Sequence, residues 1–223
     1  MRRYYRLKAL AREYTRTRTG CARSRNKFRS RGNEHPTQAL IDLFTIQQRV
    51  GRLDNLRIGV GFDPLHSRSI RSFCLALSKF PNNGIVVVSP EQCAMPKNQV
   101  TDLQSRGLTV GESSDKDAML DREVLYVNRF QKERFADASM VDQFIKEFVI
   151  TSQDLIEHDA VKHVLDPLPR VGELDTKIDS MKQAAYFEQS DQRRTGEDDP
   201  SPFVRKTCVA LSSTPMSGLP VTK

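Results

Sequence analysis

The 223-residue chain has no tryptophan, four cysteines, four histidines and no long apolar run. Each scarcity excludes something. Cys21, Cys74, Cys93 and Cys208 are scattered and form no C-x-x-C pair. That argues against a disulfide framework or a thiolate zinc site, and points to reduced thiols in a cytoplasmic protein. His35, His66, His158 and His163 give no metal-ligand spacing such as H-E-x-x-H. No stretch approaches the roughly 18 apolar residues of a membrane span. The N-terminus has no apolar segment of the kind a secretory signal needs. Its Arg-rich, acid-poor composition also matches an organelle transit peptide loosely. Hydrophobic residues make up 38% of the chain, a low share, so part of it is expected to stay unpacked.

What is present is unevenly spread. The formal net charge is +7, from 35 Lys+Arg against 28 Asp+Glu. Residues 1–32 hold 12 of the basic residues and one acid, Glu13, hence +11. The remainder holds 35 − 12 = 23 basic against 28 − 1 = 27 acidic residues, hence −4. The basic balance belongs to the N-terminal segment, so it is no evidence that the whole fold binds nucleic acid. Residues 1–32 read as a disordered basic arm with, at most, nonspecific nucleic-acid contact. Residues 33–189 read as one domain, and 190–223 as an irregular tail.

Within the domain, N-E-H-P-T-Q-A-L-I-D-L-F-T-I-Q-Q-R-V-G predicts a helix entered at Pro36 and stopped by Gly51. Strands are predicted at 56–62, 84–90, 108–113, 123–129, 148–151 and 162–169. Helices are predicted at 66–80, 97–107, after Ser113, in S-M-V-D-Q-F-I-K-E and in S-Q-D-L-I-E-H-D. This alternation predicts an α/β fold, a Rossmann-like doubly wound parallel sheet.

Ligands of such sheets bind beyond the carboxyl ends of the strands. Three post-strand loops carry an arginine there: D-P-L-H-S-R (63–68), N-R-F-Q-K-E-R (128–134) and D-P-L-P-R (166–170). Arg68, Arg129 and Arg170 together suit a ligand rich in carboxylate or phosphate oxygens. The plainer alternative is a solvated rim. His35 reads either as a donor that polarises a carbonyl or as a helix-entry residue. Gly59-Val60-Gly61 lacks the third glycine of a dinucleotide fingerprint, so a nicotinamide site is rejected. Asp63, Glu133 and Asp154 are carboxylates near the rim, and no pair has a spacing that implies acid–base work.

Five motifs in order carry a resemblance: H-P-T-Q (35–38), S-R-S-I-R-S (67–72), R-F-Q-K-E-R (129–134), P-L-P-R (167–170) and A-Y-F-x-Q (185–189). Residues 33–189 resemble the aspartate-binding domain of the aspartate/ornithine carbamoyltransferase family, on its aspartate-using branch. The resemblance implies transfer of the carbamoyl group of carbamoyl phosphate to L-aspartate in pyrimidine synthesis, with no metal and no cofactor. It implies that His35 donates to the carbamoyl oxygen and Gln38 contacts the carbamoyl group. Pro36, Leu168 and Pro169 would line that subsite through their backbones. Arg68 and Arg129 would grip the aspartate carboxylates, with Gln131 in support.

The departures are as specific. The family has a second, carbamoyl-phosphate domain with an S-T-R-T loop, and T-R-T-R (15–18) imitates it only in composition. Phe62 stands where the family has Gly, and Asp166 where it has His. Residues 1–32 and 190–223 are expected to be frame-shifted or recombined ends. Turnover is expected only with the carbamoyl-phosphate domain supplied in trans, and a family-type trimer is a further possible assembly. The alternative reading is a non-catalytic relative that binds aspartate or has a regulatory role.

Overall fold

A computed structural model describes residues 35–135 and 137–191. The readings made above for residues 1–32 and for most of 190–223 lie outside the described residues.

Helix α1 (Pro36–Val50) opens the domain. It begins where a proline costs no backbone hydrogen bond. It ends at Gly51, whose φ of 81° is the left-handed cap a glycine adopts without strain. Strand β1 (Arg57–Gly61) follows, then α2 (Arg68–Leu77) and β2 (Gly84–Val88). Helix α3 (Lys97–Ser105) leads to β3 (Thr109–Ser113), and the short α4 (Asp117–Leu120) to β4 (Val124–Val127). Helices α5 (Ala138–Phe148) and α6 (Ser152–Glu157) precede β5 (His163–Leu165). Residues 186–191 turn into a further helix.

The five strands form one parallel sheet in the order β3-β2-β1-β4-β5. Alternate residues face opposite sides. Ile58, Val60, Ile85, Val87, Val124, Tyr126 and Leu165 pack with residues of α1, α2 and α3. Val88, Leu125, Val127 and Val164 pack with Met119, Val141, Phe144 and Leu155 from α4, α5 and α6. The sheet is therefore covered on both faces, as the doubly wound reading requires. The Phe73 and Tyr126 rings stack at 4.3 Å. Each large side chain buried in this way contributes roughly 1.5–3 kcal/mol. Gly59 has a packing reason of its own. A Cβ there would lie 2.5 Å from the Met119 Cβ and 2.9 Å from Leu125, so α4 sits directly on the bare strand.

One predicted strand is corrected. Residues 148–151 add no strand to the sheet: Phe148 closes α5, and Ile150 makes a single parallel bridge to Leu174. The run is apolar because Phe148 and Ile150 are buried with Phe62 and Phe130, in a connection between two helices. A short apolar run has no periodicity that separates these two cases. Among the described residues, no helix is long and apolar enough to cross a membrane.

Candidate active site at the carboxyl end of the sheet

The strand order reverses between β1 and β4: β2 and β3 lie on one side of β1, β4 and β5 on the other. The loops after β1 and β4 therefore flank the switch-point crevice, where ligands of open α/β sheets bind. Two of the three arginine-bearing loops are these two, and the third follows β5.

Buried carboxylates staple the three loops together. Asp63, fully buried after β1, accepts the Gln131 N–H at 3.1 Å through one oxygen. Its other oxygen takes the His66 N–H at 3.3 Å and pairs with His66 Nδ1 at 2.9 Å. Glu173, also fully buried, accepts the Phe130 N–H at 2.8 Å and the Val171 N–H at 2.9 Å. Asp63 thus joins the β1 and β4 loops, and Glu173 joins the β4 and β5 loops. A buried acceptor of this kind satisfies backbone donors that would otherwise be costly to bury.

On this frame the three arginines separate. Arg68 is the first residue of α2, which is capped by the Ser67 hydroxyl on the Ile70 N–H at 3.1 Å. It is exposed and has no hydrogen-bond or ion-pair partner among the described residues. Arg129 is half-buried and meets Glu133 through both terminal nitrogens, at 3.1 and 2.7 Å. That pairing pulls the Glu133 carboxyl down to about 2. Arg170 does not join the rim as a free cation. Its guanidinium is bidentate to Asp179, bonds the Tyr186 hydroxyl at 3.4 Å and lies 5.6 Å from the Tyr186 ring centre. Its work is to tie the β5 loop to the segment behind it. Gln131 spans the crevice: its Nε2 donates to the His66 carbonyl at 2.8 Å, two residues before Arg68.

The start of α1 lies against the same helix. The His35 N–H donates to the Ser72 hydroxyl at 2.7 Å, and Ser72 is one turn beyond Arg68 on α2. His35 caps α1 by accepting the Gln38 N–H at Nδ1, at 3.3 Å. Accepting there places the proton of a neutral imidazole on Nε2. Gln38 is buried, and its Nε2 donates to Asp42 at 2.8 Å. In the β5 loop, the Leu168 N–H donates to Asp166 at 2.7 Å. The Leu168–Pro169 peptide is cis, and Leu168 has a φ of 50°.

The other rim carboxylate, Asp154, is structural: it closes the capping box of α6 and pairs with Lys116 at 3.0 Å. Sequence reasoning missed Asp42. It is fully buried and accepts hydrogen bonds from Gln38, from the Tyr126 hydroxyl at 2.8 Å and from Gln189 at 2.6 Å. Burial raises its carboxyl to about 7, against those three bonds. The available signal was an acid in the apolar stripe of α1, one turn after Gln38.

Comparison with known proteins agrees with this fold. The family model "Aspartate/ornithine carbamoyltransferase, Asp/Orn binding domain" matches residues 54–197. That span includes Arg68, Arg129, Gln131, Leu168 and Pro169, and begins after His35, Pro36 and Gln38. The aspartate carbamoyltransferase catalytic subunit of Ignicoccus hospitalis is 44% identical over 161 residues, 70% of this chain and 52% of that subunit. The corresponding subunit of Methanococcus maripaludis is 37% identical over 158 residues, 71% of this chain and 51% of that one. Among solved structures, the catalytic subunit of M. jannaschii aspartate transcarbamoylase superposes with a TM-score of 0.67 at 33% identity, covering 81% of this chain and 55% of that one. Aspartate transcarbamoylase from Trypanosoma cruzi in complex with N-(phosphonacetyl)-L-aspartic acid superposes with a TM-score of 0.67 at 29% identity, covering 80% of this chain and 56% of that one. The chain spans about half the length of the curated relatives it matches.

Proposed function

The chain belongs to the aspartate/ornithine carbamoyltransferase family, and on that premise we propose that residues 33–189 form the aspartate-binding half of an aspartate carbamoyltransferase. The reaction is transfer of the carbamoyl group of carbamoyl phosphate to the amine of L-aspartate, a step of pyrimidine synthesis. The observation that carries the reading is the crevice between β1 and β4. There Arg68, exposed and unpartnered among the described residues, stands two residues from the carbonyl that holds Gln131.

In this reading Arg68 and Arg129 take the two carboxylates of L-aspartate. Each guanidinium presents a fork of donors that matches a carboxylate. Gln131, fixed at the His66 carbonyl, sets the gap between their loops. The aspartate amine attacks the carbamoyl carbon, a C–N bond forms, and the bond to the phosphate oxygen breaks. The amine's proton passes to the departing phosphate oxygen, and phosphate leaves. His35 donates from Nε2 to the carbamoyl oxygen as negative charge gathers there. The backbones of Pro36, Leu168 and Pro169, with Gln38, hold the carbamoyl group in place. Orientation and oxyanion stabilisation supply the catalysis. The phosphate-binding partner domain and a trimeric assembly belong to the proposal through the family likeness. Over a non-catalytic aspartate binder, the reading is supported by relatives that are themselves catalytic subunits.

Calorimetric titration of the purified chain with L-aspartate and, separately, with L-ornithine tests the substrate side. Binding of aspartate and not ornithine is expected. Binding of neither, or a preference for ornithine, would overturn the proposal.

A further inference from the structure

Beneath the loop that follows β5 runs a line of buried polar side chains, of which the proposed reaction gives a task only to Gln38. The Asp166 N–H donates to Gln189 Oε1 at 2.9 Å. Gln189 Nε2 donates to Asp42 Oδ1 at 2.6 Å, and Gln38 Nε2 donates to the same oxygen at 2.8 Å. The Tyr126 hydroxyl holds the other Asp42 oxygen at 2.8 Å. At the far end, Asp166 Oδ1 accepts the Leu168 N–H at 2.7 Å. The line therefore begins at Gln38 in α1 and finishes at Leu168, crossing β4 and the helix begun at residue 186. Asp166 is 2% exposed, and its Oδ2 is buried with no hydrogen-bond partner among the described residues.

We infer that Asp166 is the positioning residue of the carbamoyl end of the site: its bond to the Leu168 N–H sets that loop, and the line through Gln189 and Asp42 ties it to Gln38, so the two carbamoyl-contacting segments are placed as one unit. The inference rests on the carbamoyl-transfer reading given above.

The surroundings decide the charge state of the unit. The groups that act on Asp42 are Gln38, Tyr126, Gln189 and Asp166, and those that act on Asp166 are the Leu168 N–H, Glu173 and Arg170 from the β5 loop. The cation among them, Arg170, is already bound to Asp179. A buried carboxylate with one hydrogen bond and no cation of its own is costly, so it keeps its proton to higher pH. Burial, with the Glu173 carboxylate adding to it, raises Asp166 to about 7. Near neutral pH the bond to the Leu168 N–H thus changes between a neutral and a charge-assisted one, and the charged form is the shorter and stronger. Ionisation of Asp166 also raises the pKa of Asp42.

Amide NMR of the full chain between pH 5.5 and 8.5 tests this without turnover. The Leu168 amide is expected to shift with a midpoint near 7 in the wild type, and the shift is expected to be lost in Asp166→Asn. That variant keeps an acceptor for the Leu168 N–H and matches the neutral acid in shape. The Gln38 side-chain amide, which reports Asp42, is expected to titrate at lower pH in Asp166→Asn than in the wild type. A wild-type Leu168 amide that does not titrate, or one that titrates equally in the variant, would overturn the inference. So would a Gln38 midpoint that the variant leaves unmoved. If Asp166→Asn does not fold, Gln189→Leu is expected to keep the Leu168 transition and to move the Gln38 midpoint to higher pH, because Asp42 loses a donor that favours its charged form, and a Gln38 midpoint left in place would overturn the inference. Titration with L-aspartate in the same samples reads the Gln131 side-chain amide. Silence there would count against the carbamoyltransferase reading, with the Asp166 result standing separately.

Discussion

The two ends of the proposed site are built on opposite plans. The aspartate end is open, cationic and made of loops. Arg68 is exposed, Arg129 is half-buried against Glu133, and the loops that carry them are pinned from below by Asp63 and Glu173. The carbamoyl end is closed and acidic. Gln38, Asp42, Gln189 and Asp166 are all buried, and their hydrogen bonds run from one to the next. A dianionic amino acid is recognised by charge, and exposed guanidinium groups supply that with little desolvation cost. A neutral amide-like group is recognised by the placement of backbone atoms, and a buried network supplies rigidity. Charge at this site is thus a surface property, whereas geometry is set inside.

The largest expected effect breaks the pin between the loops. Asp63→Ala removes the acceptor of the Gln131 N–H and of both His66 groups, leaving part-buried donors unpaired. A loss of about 3 kcal/mol in urea unfolding is expected, with L-aspartate binding abolished. Retained binding at lowered stability would show that the aspartate end does not depend on the clamp.

The next prediction probes the closed end by pH. Burial holds Asp42 at about 7 in the fold, well above the ordinary carboxylate range at about 4. Between those values the folded chain holds a proton that the unfolded chain has released. The Asp42 contribution to stability is therefore greatest below pH 4, falls as pH rises, and levels off above 7. Asp42→Asn is expected to remove up to about 1.4 kcal/mol per pH unit of that downward slope, read from denaturation midpoints across pH 4 to 7. An unchanged slope would mean that Asp42 is ionised throughout.

The smallest effect is a control away from both ends. Arg106 pairs with Asp102 at 2.9 Å on the surface of α3. Arg106→Ala is expected to move the melting temperature by less than about 1 °C and to leave L-aspartate binding unchanged. A loss of binding there would spread the recognition surface far beyond the crevice.

Much of this was legible in the sequence, and the rest was hidden for physical reasons. The alternation of apolar runs with amphipathic ones gave the doubly wound sheet, because each face of the sheet must be covered. The loops that carry Arg68, Arg129 and Gln131 followed from strand ends. Arg170 was misread as a rim cation because its partner, Asp179, comes from a segment without a recognisable pattern. Residues 148–151 were misread because burial between helices and burial in a sheet leave the same short apolar run. Asp42 went unread as a functional residue because two of its three partners lie 84 and 147 positions away, at Tyr126 and Gln189. The motif A-Y-F-x-Q contained Gln189, but nothing local says that its side chain turns inward.

In the proposed reading Arg68, unpartnered among the described residues, holds the substrate and contributes nothing to the fold. The most direct measurement is the L-aspartate affinity of wild type and Arg68→Ala by calorimetry, with the melting temperature of each. At least a tenfold loss of affinity is expected, about 1.5–3 kcal/mol for hydrogen bonds to a charged group, at an unchanged melting temperature. An Arg68→Ala chain that binds L-aspartate as tightly as the wild type would contradict it.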